Sequence, residues 1–218
     1  MRKTVYIFFV FLCILTPLFA RDEAKEENKV YITGKILDSA GKPISGYPVE
    51  MIVERAVLDV SSFESVVSKR KVFSTQTDYE GNYVFTWTLD DYFNKFYINY
   101  LVKDKFDNVK FLPPEEPLVD ASQDVGKGRD FNHRLIILYH PDWFKLKQVI
   151  EMYGGVETDK GKVLRENGFY DRETEEELLG IKYTFWWYYY IGKAFKFRDD
   201  KLVKRFTYSP LKPLKVGD

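Results

Sequence analysis

Between residues 29 and 139, apolar and polar residues alternate in short runs, and nearly every run stops at a turn rich in Gly, Pro, Asp or Asn. A chain patterned this way cannot line one face of a helix, but it can bury one side of a strand. In the first run, 29–38, Val30, Ile32 and Ile36 alternate with Tyr31, Thr33 and Lys35. A turn at 39–43 follows, and further strands are expected at 49–53, 71–77, 83–89, 96–103 and 134–139. Tyr and Phe dominate an aromatic content of 17%, and both favour strands. Short strands at this spacing predict a sandwich or barrel.

Two stretches break the rhythm. Residues 54–70 are too long for a hairpin loop and have room for an extra strand or a short helix around 63–67. Residues 112–130 hold Pro113, Pro114, Pro117, Gly126 and Gly128 among many acids. They read as a long surface loop, a type of segment that often binds partners. After His140-Pro141-Asp142 the pattern changes. Phe144, Val149 and Ile150 fall near helical spacing, and Gly154-Gly155 stops that helix. Thr158 or Asp159 can cap a second helix that carries Val163 and Leu164 and ends at Asn167-Gly168. Residues 171–179 are acidic and helix-permissive. Strands at 181–191, 194–198 and 202–208 complete a small unit of helices followed by a β-meander. The expected fold class is therefore mainly β, a sandwich at 29–140 followed by a small α+β domain at 141–210 and a tail at 211–218.

Two segments carry a family resemblance. Gly34-Lys35-Ile36-Leu37-Asp38-Ser39-Ala40-Gly41-Lys42-Pro43 leads into Ile44-Ser45-Gly46-Tyr47-Pro48-Val49, and Thr75-Gln76-Thr77-Asp78-Tyr79-Glu80-Gly81-Asn82-Tyr83-Val84-Phe85 follows later. Together they resemble the carboxypeptidase regulatory-like (transthyretin-like) β-sandwich over residues 29–139. That resemblance implies a seven-stranded sandwich attached to other domains of exported proteins, and it implies no chemistry. The physics agrees: Gly41, Gly46 and Gly81 permit turns that a Cβ would hinder, and Asp78 can bond its own turn. Val49, Tyr83 and Phe85 are inward candidates. Residues 142–208 resemble the BamE (SmpA/OmlA) family of outer-membrane assembly lipoproteins. The features are Gly155-Val156, Val163-Leu164, Asn167-Gly168-Phe169-Tyr170-Asp171 and a hairpin at 197–203, with Tyr170 standing where that family usually has Pro.

Residues 1–20 open with Arg2 and Lys3, continue as an apolar run from Val5 and reach Pro17 shortly before Ala20. This is the architecture of a secretory signal peptide, with cleavage expected after Ala20. Residues 21–28 read as a flexible charged leader. The only cysteine, Cys13, lies inside the apolar run, so the mature protein depends on packing without disulfides. A periplasmic or secreted location follows, with the membrane met only transiently through the signal peptide. The chain carries 33 basic and 33 acidic residues, a balance that argues against nucleic acid as a partner, as does the small size of the basic cluster Lys69-Arg70-Lys71.

No catalytic constellation emerges. The two histidines, His133 and His140, lie seven apart without zinc-ligand spacing, and neither a G-x-S-x-G elbow nor a phosphate loop is present. No cofactor, metal or catalytic residue is therefore assigned. Acidic pairs such as Asp90-Asp91, Glu115-Glu116 and Glu175-Glu176-Glu177 read as solvated faces, although a glycosidase would need two acids across a cleft. The candidate surface contact is the aromatic strand, where Trp186, Tyr188 and Tyr190 share one side, opposite Tyr183, Phe185, Trp187 and Tyr189. It offers either a stacking platform for a glycan or protein partner, or a strand packed on both faces. The expected function is a non-catalytic binding or structural module of the cell envelope. The alternative is a cell-wall or carbohydrate hydrolase using acids near the aromatic strand. An unpaired sandwich edge would point to an assembly subunit.

Overall fold

The computed structural model describes residues 28–212; the expected signal peptide and most of the leader and the tail lie outside them. The described chain divides into two units. One holds the residues up to Phe106 together with Pro114–Ile136, and the other holds Asp107–Pro113 and everything from Ile137 onward.

The first unit is built from two sheets. One has the order β4-β1-β7, made of β1 (Lys29–Asp38), β4 (Asn82–Thr88) and β7 (Phe131–Ile137). The other has the order β3-β2-β5-β6, made of β2 (Pro48–Asp59), β3 (Glu64–Gln76), β5 (Lys95–Asn99) and β6 (Leu118–Asp120). The alternation holds along β1 as far as Ile36 and along all of β4: Val30, Ile32 and Ile36 are buried, as are Tyr83, Phe85 and Trp87 on the neighbouring strand, while Leu37 and Asp38 at the end of β1 are buried together. Val49, Met51 and Val53 supply the facing layer from β2, and Phe96 and Ile98 supply it from β5. Ring contacts join the layers: Trp87 packs edge-on against Phe96 at 5.8 Å, and Tyr83 against Tyr100 at 6.1 Å.

Two turns of identical design hold this sandwich. The Oδ1 atoms of Asp38 and Asp78 each accept two backbone N–H bonds at 2.8–2.9 Å from their own loops. Gly41 and Gly81, three residues further on, take φ of 79° and 76°, the left-handed region open to glycine. Both belong to the segments that carry the family resemblance.

Several expectations are corrected here. Residues 54–70 hold no helix, and the strand at 64–67 is the start of β3 rather than a separate element. β2 and β3 run on as one long hairpin, paired from Pro48↔Gln76 to Asp59↔Glu64 with a bulge at Arg55/Ala56. The segment 112–130 is not a bare loop, because β6 pairs with β5 through Val119↔Ile98 and the short helix α1 (Ser122–Val125) follows. Ser122 Oγ accepts the Phe96 N–H at 2.8 Å and so ties this segment to β5. β5 itself ends at Asn99, earlier than its apolar pattern suggests.

The second unit has helices α2 (Trp143–Met152) and α3 (Asp159–Asn167), followed by a four-stranded antiparallel meander β8 (Arg172–Leu178), β9 (Ile181–Tyr188), β10 (Lys193–Arg198) and β11 (Lys201–Thr207). Thr158 is the cap of α3, its Oγ1 accepting the Gly161 N–H at 3.1 Å. The acidic stretch expected to be helix-permissive is strand β8. Asp107–Pro113 joins this unit through a bridge between Phe111 and Tyr139 and a two-pronged ion pair of Asp107 with Arg165.

Candidate functional site

The aromatic strand β9 does not hold Trp186 and Tyr188 at the surface. Trp186 is fully buried and Tyr188 is 3% exposed. They lie in one cluster with Leu146 and Ile150 of α2, Val163 and Leu164 of α3, and Phe195 and Phe197 of β10. Trp186 stacks on Tyr170 at 4.8 Å, and its Nε1 donates to Glu173 Oε2 at 2.7 Å. The Tyr188 hydroxyl donates to the Gly168 carbonyl at 3.1 Å, and burial pushes its pKa up. Both polar tips are thus satisfied where they sit. Tyr190, at 62% exposure, lies beyond the strand and is the one member of the expected trio that meets solvent. The correction has a plain cause: two amphipathic helices supply the apolar cover that this face needs.

Lys160 completes that packing. It is 7% exposed, lies 4.8 Å from the Tyr153 ring centroid and 5.4 Å from that of Trp186, and pairs with Asp200 at 2.7 Å. Its stem covers aromatic surface while its ammonium reaches a carboxylate. On the opposite face of the meander Phe185 is buried, and Tyr183, Trp187 and Tyr189 are half-buried. Lys196 lies 3.8 Å from the Tyr183 centroid there, and Lys204 lies over Phe206.

The two histidines belong to different units. His133 ends a buried relay in the first unit, in which Tyr83 and Tyr100 hydroxyls lie 2.6 Å apart and Tyr100 reaches His133 Nδ1 at 2.8 Å. Burial raises the Tyr83 pKa to about 12 and lowers that of His133, with Glu116 opposing the latter shift. His140 lies in the second unit, its Nδ1 accepting the Asp142 N–H at 3.2 Å. Two members of the acidic runs serve local structure. Asp90 caps Tyr92 and Phe93, and Glu175 pairs with Lys182 at 2.7 Å. Among the described residues, no group of three His, Cys, Asp or Glu is spaced to hold a metal ion, and no helix is long and apolar enough to cross a membrane.

Two surfaces of the sandwich remain open. A groove beside the β4-β1-β7 sheet is lined by Thr33, Lys35, Asn132 and Arg134 together with Thr75 and Gln76 at the end of β3. Asn132 Nδ2 donates to Thr33 Oγ1 at 2.8 Å across it. The second surface is β3. It stands at the end of its sheet, where β2 is its one neighbouring strand among the described residues, and every one of its residues is exposed except half-buried Thr75. Beyond Glu54, where pairing to β5 stops, β2 and β3 continue as a two-stranded arm. Val57, Leu58, Val60, Phe63, Val66 and Val67 are exposed on it. The sequence marked a strand at 71–77 but not its place at the end of a sheet, since sheet order cannot be read from one segment alone.

No family model and no curated protein matches this chain. Among solved structures, a streptococcal ancillary pilin is similar at 9% identity and a TM-score of 0.34, over 52% of this chain and 33% of that one. A 9R-lipoxygenase from Cyanothece PCC8801 is similar at 13% identity and a TM-score of 0.28, over 84% of this chain and 42% of that one. The chain thus spans a third of the pilin's length and about two fifths of the lipoxygenase's. At such TM-scores neither likeness carries an argument, and what stands on the geometry is a mainly-β protein of sandwich and small α+β unit.

Proposed function

We propose that this chain is an exported, non-catalytic binding or structural module of the cell envelope, built on a carboxypeptidase regulatory-like sandwich that presents its surface to a protein or glycan partner. The observation that carries this reading is the open edge of β3. Proteins blunt or cover long edge strands because unpaired N–H and C=O groups recruit other chains. This one is 13 residues long and lies bare along its outer side. A module that works by pairing would be left with such an edge.

Export is supported by residues 1–20, with a basic start, an apolar run and a small residue at Ala20. The likeness of residues 142–208 to the BamE family is in keeping with an envelope location. The periplasm of a double-membraned bacterium is the compartment that accommodates both likenesses.

Cross-linking in intact cells, followed by identification of the attached partner, tests the reading. Recovery of a specific envelope protein is the expected result. A chain that stays uncross-linked and depolymerises glycan would overturn it in favour of the hydrolase.

A further inference from the structure

We infer that β3 is the docking edge for an extended acidic segment of a partner protein, which joins the sheet as an added strand. The inference rests on the envelope-module reading and names the chemistry of its partner.

Length selects this edge. The other outermost strands among the described residues are β6 with three residues and β4, β7, β8 and β11 with seven each, against 13 for β3. An added strand gains one ladder of backbone hydrogen bonds, so its hold grows with the length of edge available. β3 also outruns the sandwich along the arm with β2, where β5 no longer pairs.

Charge selects the partner. Lys69, Arg70 and Lys71 occupy the middle of the strand, and alternation sends Arg70 to one face and the two lysines to the other. Arg70 approaches Glu54 at 3.6 Å while remaining more than half exposed. Lys69 and Lys71 have no ion pair among the described residues; they lie over Tyr92 at 5.4 Å and Phe93 at 4.8 Å. Positive charge therefore flanks both faces of the open backbone at one level. On either side lie exposed Val66 and Val67, and Val72 and Phe73. The complementary strand is acidic at its centre and apolar at its flanks, because cross-strand neighbours of opposite charge attract and apolar ones pack.

A second copy of this chain fits worse. The antiparallel register that uses the whole strand sets Arg70 opposite Arg70 and Lys69 opposite Lys71, and like charges directly opposite destabilise a pair. Shorter registers give up part of the ladder.

The test uses the full mature chain and a short capped peptide with a central run of glutamates flanked by valines. A matching peptide with lysines in place of the glutamates is the control. The expected result is slowed amide exchange confined to residues 66–73 on adding the acidic peptide. That peptide should bind about tenfold more tightly than its lysine counterpart at low salt, with the preference shrinking as salt is added. The triple variant Lys69→Glu, Arg70→Glu, Lys71→Glu should reverse the preference, and Arg70→Glu alone should weaken it while leaving Lys71 on its rings. Unchanged exchange along β3 overturns the inference, as do equal binding of the two peptides and a dimer paired through β3. Failure here leaves the envelope-module reading standing if cross-linking in cells still recovers a partner through another surface. Finding the chain in the cytosol sinks that reading without touching the peptide result.

Discussion

A single missing Cβ organises the centre of the sandwich. At Gly34 on β1, a methyl group would overlap the carbonyl oxygen of His133 and the phenol end of Tyr83. Neither can withdraw cheaply, since one is backbone and the other is hydrogen-bonded to Tyr100 at 2.6 Å. Gly34→Ala should cost about 3 kcal/mol through overpacking, seen as a lower urea midpoint with an unchanged slope. The same relay makes stability depend on pH. An exposed histidine takes up its proton near pH 6.5, whereas burial holds the folded-state pKa of His133 lower. Between those values the unfolded chain carries more protons, so stability present above pH 6.5 is lost as the pH falls towards the folded pKa. His133→Gln should flatten that decline in melting curves recorded from neutral to mildly acidic pH. An unaltered slope would show that other groups cause it.

At the scale of elements, α3 depends on the residue that caps it. Thr158 Oγ1 accepts the Gly161 N–H and donates to the Gly155 carbonyl at 2.9 Å, so Thr158→Ala should destabilise the second unit by about 1 kcal/mol. Strand β9 yields a sharper contrast. Trp186→Ala empties the centre of the helix-covered core and should cost about 4 kcal/mol, whereas Tyr190→Ala, at an exposed position past the strand, should shift the melting temperature little. The cap and both helices were legible because their signals are local: a Thr before the helix, apolar residues at helical spacing, Gly-Gly at the stop. β8 was not legible. Glu175, Glu176 and Glu177 carry no strand preference of their own. They are extended because Glu173 and Thr174 accept the indole N–H groups of Trp186 and Trp187, and Glu175 pairs with Lys182 across the ladder. β6 shows the same dependence, being only three residues long and fixed by β5. The aromatic strand was ambiguous for a related reason. When both faces are apolar, alternation cannot say which one the helices will cover.

For the whole molecule, the question is whether damage to one core reaches the other. The cluster around Trp186 draws on α2, α3, β9 and β10, and the core around Gly34 draws on β1, β4 and β7 and the facing β2 and β5. The two sets share no residue, although the chain passes between the units at Phe106, at Pro113 and again at Ile136. Substitutions without shared partners add to within about 0.5 kcal/mol, while those in one packed network do not. Gly34→Ala combined with Trp186→Ala should therefore destabilise by the sum of the single effects. Amide exchange gives the finer reading. Gly34→Ala should speed exchange in β1 and β4 and leave β9 and β10 unchanged, and Trp186→Ala should do the reverse. Accelerated exchange in both sets from either substitution would overturn that additivity.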